Sequence, residues 1–127
     1  MKTWTGSLEI EPAGKGRPTV TRTGIAFTPA KTRNKEAEVR YWLKQLDAPH
    51  FGDDPLEVSL VFYFIKPKSA KKRIYPTVKP DVDNVIKLIL DSSNGILFND
   101  DKQVVVCNAR KVYGEPARVD ITIRSLD

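Results

Sequence analysis

Two acidic clusters carry the chemistry that this chain can do. The first lies in Lys79-Pro80-Asp81-Val82-Asp83-Asn84-Val85-Ile86-Lys87, the second in Asn99-Asp100-Asp101-Lys102-Gln103. Residues at i and i+2 share a face only while the chain is extended, and within a helix they diverge by about 200°. Asp81 and Asp83 can therefore serve one metal ion only where extended chain turns into helix. Pro80 biases Lys79 toward extended geometry and sets Asp81 just before such a start. The positive end of that helix eases the repulsion between the two carboxylates. Lys87 follows Asp83 by four residues, so it lies one turn along the same face, able to pair with Asp83 or reach the same reaction centre. Three carboxylates holding one or two Mg²⁺ ions suit phosphodiester hydrolysis, with Lys87 orienting water or stabilising the transition state. The same residues also read as an ordinary capped helix, in which Asp83 and Lys87 form an i, i+4 pair and Asp100-Asp101 is a turn. A calcium loop is excluded, because its glycine at position six and its glutamate at position twelve are missing.

Other ligand types are scarce. Cys107 is the only cysteine and His50 the only histidine of 127 residues. No intrachain disulfide or thiolate zinc cluster can form. A histidine-based triad is left with His50 alone, beside the turn-like Phe51-Gly52-Asp53-Asp54-Pro55, where a solvated loop histidine is the simpler reading. A bound metal must be held mainly by oxygen, which points to Mg²⁺, with Mn²⁺ able to substitute.

The net charge of +5 and a pI near 9.4 favour a polyanionic partner, and the distribution of charge says more than the total. From Ala13 to Lys35 there are six basic residues and no acid. Glycines and prolines interrupt that segment, so it reads as a loop or irregular hairpin able to follow a phosphate backbone. Lys66 to Pro80 again carries six positive charges and no negative one. It leads directly into the first acidic cluster, so the fold must bring its end close to those acids.

The elements that must position these residues follow from periodicity. Ser7 to Glu11 alternates like a short strand that stops at Pro12. Asn34 to Leu46 reads as a helix capped by Asn34, with Glu36 and Glu38 in its first turn and Val39, Trp42, Leu43 and Leu46 on one apolar face. Trp42 belongs to the core on this spacing rather than to a base-stacking platform. Leu56 to Ile65 is the strongest strand, alternating at first and then apolar throughout, as in a central strand buried on both faces. Broken by Glu57 and Ser59, it is far too short to span a bilayer. A second helix runs from Asp83 to about Asp91, faces the core with Val85, Ile86, Ile89 and Leu90, and ends at Asn94-Gly95 in a left-handed cap. Ile96-Leu97-Phe98, a polar turn, a strand from Gln103 to Val112 and a closing strand from Val119 to Arg124 complete the chain. The order β-α-β-α-β-β predicts one α/β (α+β) domain over residues 1–127, a small mixed sheet with two helices packed on it. The start Met1-Lys2-Thr3-Trp4-Thr5-Gly6 lacks the apolar core of a secretory signal, so the expected location is the cytoplasm, away from membranes.

Taken together, Lys79-Pro80-Asp81-Val82-Asp83-Asn84, Lys87, Leu90-Asp91, Asn94-Gly95 and Asp100-Asp101-Lys102-Gln103-Val104 resemble the signature of the RusA family of Holliday-junction resolvases. A weaker likeness runs through Gly14-Lys15-Gly16-Arg17-Pro18, Phe27-Thr28-Pro29 and the first helix. The resemblance implies a RusA-like fold and a homodimeric, Mg²⁺-dependent endonuclease that cuts four-way DNA junctions by paired nicks. It implies catalytic roles for Asp81, Asp83, Lys87 and Asp101, with the three aspartates on the metal. Asp100, Asn84 and Asp91 are then neighbours that support or extend the metal site, Asp91 standing one turn beyond Lys87 and able to hold its ammonium. Lys15, Arg17, Lys66, Lys68, Lys71, Lys72, Arg73 and Lys79 are the expected DNA contacts. Ser92-Ser93 departs from the Ala-Leu common at that point in relatives and predicts a lost apolar contact at the helix end. Two rivals stand beside this reading: a non-catalytic nucleic-acid-binding protein whose aspartates are caps, and a nuclease of similar chemistry acting on flaps or forks.

Overall fold

The computed structural model describes residues 2–16, 19, 20, 22–24, 26, 27 and 30–126. Its elements are β1 (Thr3–Leu8), β2 (Thr19–Val20), β3 (Ala26–Phe27), α1 (Ala30–Gln45), β4 (Leu56–Phe64), α2 (Val82–Ser93), β5 (Val104–Tyr113) and β6 (Arg118–Ser125). β2 and β3 form a small antiparallel hairpin. The other strands make one sheet in the order β1-β6-β4-β5. β4 is antiparallel to β6 and parallel to β5. It is thus an inner strand, as its composition predicts, and the sheet is mixed because the β4-α2-β5 crossover returns β5 in the same direction.

Both helices lie on one face of this sheet. Leu8, Val58, Leu60, Phe62, Val119, Ile121 and Ile123 are buried there against Val39, Leu43, Val85 and Ile89. The opposite face carries a polar ladder. Its rows run Thr5-Thr122-Ser59 and Arg124-Glu57, joined by Thr5 to Thr122 at 3.3 Å and an Arg124–Glu57 ion pair at 2.8 Å. Arg118 stacks on Tyr63 at 3.7 Å. β4 therefore alternates buried and half-buried residues along its length. The expectation of burial on both faces fails because no layer of the described residues covers the second face.

Three boundaries also differ from the sequence reading. β1 starts and ends earlier, because its partner β6 offers pairs only from Thr3 opposite Arg124 to Leu8 opposite Val119. α1 begins a turn before Asn34, so Asn34 is not its cap and its first turn holds no acid. Thr32 extends the inward row of Val39 and Leu43, buried and accepting the backbone N–H of Gly16 at 2.8 Å. At the end of α2, Ser92 and Ser93 are fully buried and donate to the carbonyls of Leu88 at 2.6 Å and Ile89 at 2.7 Å. Bonding back to the preceding turn satisfies the hydroxyls, so polar residues replace apolar ones there without an orphan group. Gly95 takes a φ of +81° beyond the helix, as its type predicts. No helix among the described residues is long and apolar enough to cross a membrane.

The one-sided core makes a direct prediction. Phe62→Ala, at a fully buried site, lowers stability by about 3–5 kcal/mol. Ser59→Ala, on the polar face of the same strand, changes it by no more than about 0.5 kcal/mol. Urea unfolding of the two variants measures the contrast.

Candidate active site

α2 organises the site. Val85, Leu88, Ile89 and Ser92 are buried on its inner side, which turns the i, i+4 row of Asp83, Lys87 and Asp91 outward. Asp81 occupies the position before the helix in extended geometry, φ −67° and ψ 150°, and its side chain makes no capping hydrogen bond. Its backbone carbonyl alone accepts from Asn84 and Val85, at 3.1 and 3.2 Å. Asp81, Asp83 and Lys87 are all exposed, and the structure contains no Asp83–Lys87 ion pair. The capped-helix reading therefore gives these three side chains no structural work.

The loop after β1 packs over the outward row. Asn84 accepts the backbone N–H of Lys15 at 3.2 Å and donates back to its carbonyl at 3.1 Å. Gly14 sits against this amide so closely that a Cβ there would stand 2.3 Å from the Asn84 nitrogen. Both ends of the Asn84 amide are thus committed to holding the loop. The Lys15 ammonium then reaches Asp91 at 2.8 Å, with Glu36 at 4.0 Å. Asp91 consequently holds Lys15 rather than the predicted Lys87. The hydrogen bond to Asp91 raises the Lys15 pKa above its ordinary value and outweighs its partial burial.

The second acidic cluster is set by a 3-10 turn over Asp101–Gln103. Asp100 caps it, accepting from the backbone N–H of Lys102 at 2.9 Å, while Gln103 accepts from the backbone N–H of Asp100 at 2.9 Å. Gln103 also donates to the carbonyls of Gly52 and Asp54, tying the turn to the 51–54 loop. Asp101, half-buried, points back at α2. Burial, followed by hydrogen bonds with the Asp100 and Asp91 carboxyls, pushes its pKa above the ordinary carboxylate range. The Lys102 N–H holds Asp100 below that range.

The Asp101 carboxyl thus interacts with Asp91 of α2. Among the described residues, no three His, Cys, Asp or Glu side chains stand together at metal-binding spacing. The donor set nonetheless fits a hard divalent cation in kind. Asp91 and Asp101 are oxygen-donor groups, and Mg²⁺ is commonly held by one or two carboxylates with substrate phosphates and water completing the shell.

Cations surround the acids. One cleft of about 660 Å³ is lined by Lys15, Lys31, Lys35 and Asn84. Another of about 690 Å³ is lined by Val78, Val82 and Lys111. Lys79 and Asp81 line both, so Asp81 stands on the ridge between them. Lys68, Lys71, Lys72 and Lys79 are exposed, with no ion pair among the described residues. Lys66 and Arg73 are partly spent on structure, Lys66 on the carbonyl of Lys71 and Arg73 on the Tyr113 hydroxyl. Arg17 lies outside the described residues. Sequence reasoning missed Lys111, which donates to the carbonyls of Val78 and Pro80 at 2.7 Å each and so fixes the chain entering Asp81. Its one signal was a lysine at a strand position whose parallel partner is the buried Phe62.

Fold and site together define a small α+β protein with carboxylates set in a cationic rim, a layout suited to a polyanionic chain. The family described as Endodeoxyribonuclease RusA matches residues 9–124, and the chain belongs to that family. It is 32 % identical over 130 residues to the uncharacterized protein YqaN of Bacillus subtilis (strain 168), covering 91 % of this chain and 92 % of that one. It is also 31 % identical over 70 residues to the crossover junction endodeoxyribonuclease rusA of Lactococcus phage r1t, 54 % of this chain and 53 % of that protein.

The acid cluster predicts a stabilising substitution. Asp101 has a raised pKa in the folded state, so its contribution is fully present below the unfolded carboxyl value of about 3.9 and is lost as pH rises through the folded value. Asp101→Asn removes a charge that its neighbours oppose. In metal-free buffer at pH 7 it raises the melting temperature above that of the wild type. The gain vanishes near pH 3, where the wild-type group is already neutral. Melting curves at the two pH values check it.

Proposed function

We propose that this protein is a Mg²⁺-dependent endodeoxyribonuclease that resolves four-way DNA junctions by paired, symmetric nicks in recombination and repair. The observation that carries the proposal is membership of the RusA endodeoxyribonuclease family over residues 9–124. Support comes from Asp81, exposed and without a side-chain partner, placed where two lysine-lined clefts meet.

In this reading Asp81, Asp83 and Asp101 hold the metal, with Mn²⁺ able to substitute, and Asp91 and Asp100 stand beside them. Bound Mg²⁺ supplies water activation and charge neutralisation at the phosphoryl group. Lys87, exposed and unpaired among the described residues, offers its ammonium to oxygens on which charge develops in the transition state. Asn84 and Gly14 position the Lys15 loop over α2. Lys68, Lys71, Lys72 and Lys79 hold the phosphate backbone, which the acids would otherwise repel. Symmetric cutting of two strands requires two sites, which a C2 homodimer provides. We assign its interface to β5, whose outer edge is unpaired and whose Val105 and Val106 are exposed. The protein then works in the cytoplasm, on the DNA there.

A synthetic four-way junction and a linear duplex of the same sequence, incubated with Mg²⁺, test the activity. Preferential paired nicking of the junction is expected, and equal or greater cutting of flaps or forks would replace this substrate. Asp81→Asn reduces cleavage by about 10²–10³-fold, the size of losing one electrostatic stabiliser. It leaves junction binding equal or stronger, because a charge that repels phosphate is gone. Wild-type protein that binds junctions without any Mg²⁺-dependent cutting would reduce it to a binding protein. For the dimer, Val106→Glu is expected to sediment as monomer. Sedimentation equal to the wild-type dimer would move the interface elsewhere.

A further inference from the structure

The loop from Lys66 to Pro80 holds two large apolar side chains out of the core, Ile74 at 77 % exposure and Tyr75 at 60 %. They are not there for want of anchoring. Ala70 and Pro76, on either side of the tip, are buried. Arg73 N–H bonds the Ala70 carbonyl at 2.6 Å and Thr77 N–H the Tyr75 carbonyl at 2.9 Å. Lys111 pins the Val78 and Pro80 carbonyls to β5. Each anchor turns the backbone so that the residues between Arg73 and Pro76 face outward.

We propose that Ile74 and Tyr75 form a wedge that packs against nucleobases unpaired at a DNA branch point. This rests on the branched-DNA reading above and adds the element that recognises the opened branch. Two further observations favour a nucleic acid over a protein surface as the occupant. The loop that carries the pair has six cations and no acid, which suits a polyanion. Val78 and Val82, at 50 % and 41 % exposure, add apolar lining to a cleft that begins at Pro76, the residue after Tyr75, and that Lys79, Lys111 and Asp81 also line. An apolar floor with cationic edges matches single-stranded nucleotides, whose bases stack on side chains while their phosphates meet lysines. Bases inside a paired duplex are already stacked and cannot offer those faces unless a step is unstacked. At a branch point that unstacking is least costly. The wedge thus discriminates branched from linear DNA beside the acids.

The test uses a four-way junction carrying 2-aminopurine next to its centre, in EDTA so that no strand is cut. Binding of the wild-type protein raises the fluorescence as the base unstacks. The Ile74→Ser, Tyr75→Ser double variant loses at least about half of that rise and binds the junction about tenfold more weakly. Its affinity for linear duplex stays within about twofold and its melting temperature is unchanged, whereas Tyr75→Trp keeps the signal. A double variant that opens the junction like the wild type overturns the wedge while leaving the proposed nuclease activity standing. A double variant that instead sediments as a smaller species shows the patch to be a protein interface and also overturns it. Wild-type protein that binds no DNA removes both readings.

Discussion

The rest of this structure depends on how α2 is docked. Five buried side chains, Val85, Leu88, Ile89, Ser92 and Ser93, seat the helix in the interior. An α-helix that buries one face must present the opposite one, so Asp83, Lys87 and Asp91 are carried outward as a row. The residue before the helix, Asp81, is delivered by an extended loop that Lys111 holds by two carbonyls. Packing on one side of the helix and anchoring at its start thus create the acidic face, without any direct bond to the side chains of Asp81 and Asp83.

That face is electrostatically opposed within itself. Asp91, Asp100 and Asp101 crowd together, and the protein relieves the crowding with a raised pKa on Asp101 and with the Lys15 ammonium on Asp91. Lys15 also ties the glycine-containing loop to α2, so its charge is employed before any phosphate arrives. The cations still available, Lys68, Lys71, Lys72 and Lys79, lie at the rim. Lys15 is thus spent on structure, whereas Lys87 on α2 and these rim lysines make no ion pair among the described residues.

The fold was readable to the extent that burial follows periodicity. The inner place of β4 and the alternation of β6 were reached as predicted, and the apolar face of α2 in part: Val85 and Ile89 are buried, but Leu88 takes the inner position expected of Ile86 and Leu90, which are half-buried. Where the reading failed, a partner decided the matter. β1 is defined by the pairs β6 offers, and the start of α1 by Thr32 meeting Gly16. The half-buried second face of β4 reflects a layer that is absent among the described residues, which no local pattern encodes. In the site, residue types pointed to oxygen chemistry, while the pairing of Asp91 with Lys15 joins segments distant in sequence.

By itself, the sequence determined which atoms are on hand: carboxylates in two short clusters, one histidine, one cysteine, and two acid-free basic stretches. It also determined that Asp81 stands before a helix and that Asp83, Lys87 and Asp91 share a row, because backbone geometry links residues a turn apart. Only the tertiary structure decided that Asp81 and Asp83 are left without structural partners, that Asn84 is committed to the Lys15 backbone, and that Ile74 and Tyr75 are held outward. The physical reason is common to all three. A side chain is free, paired or exposed according to what the rest of the chain packs against it, and those neighbours are brought by folding from far along the sequence.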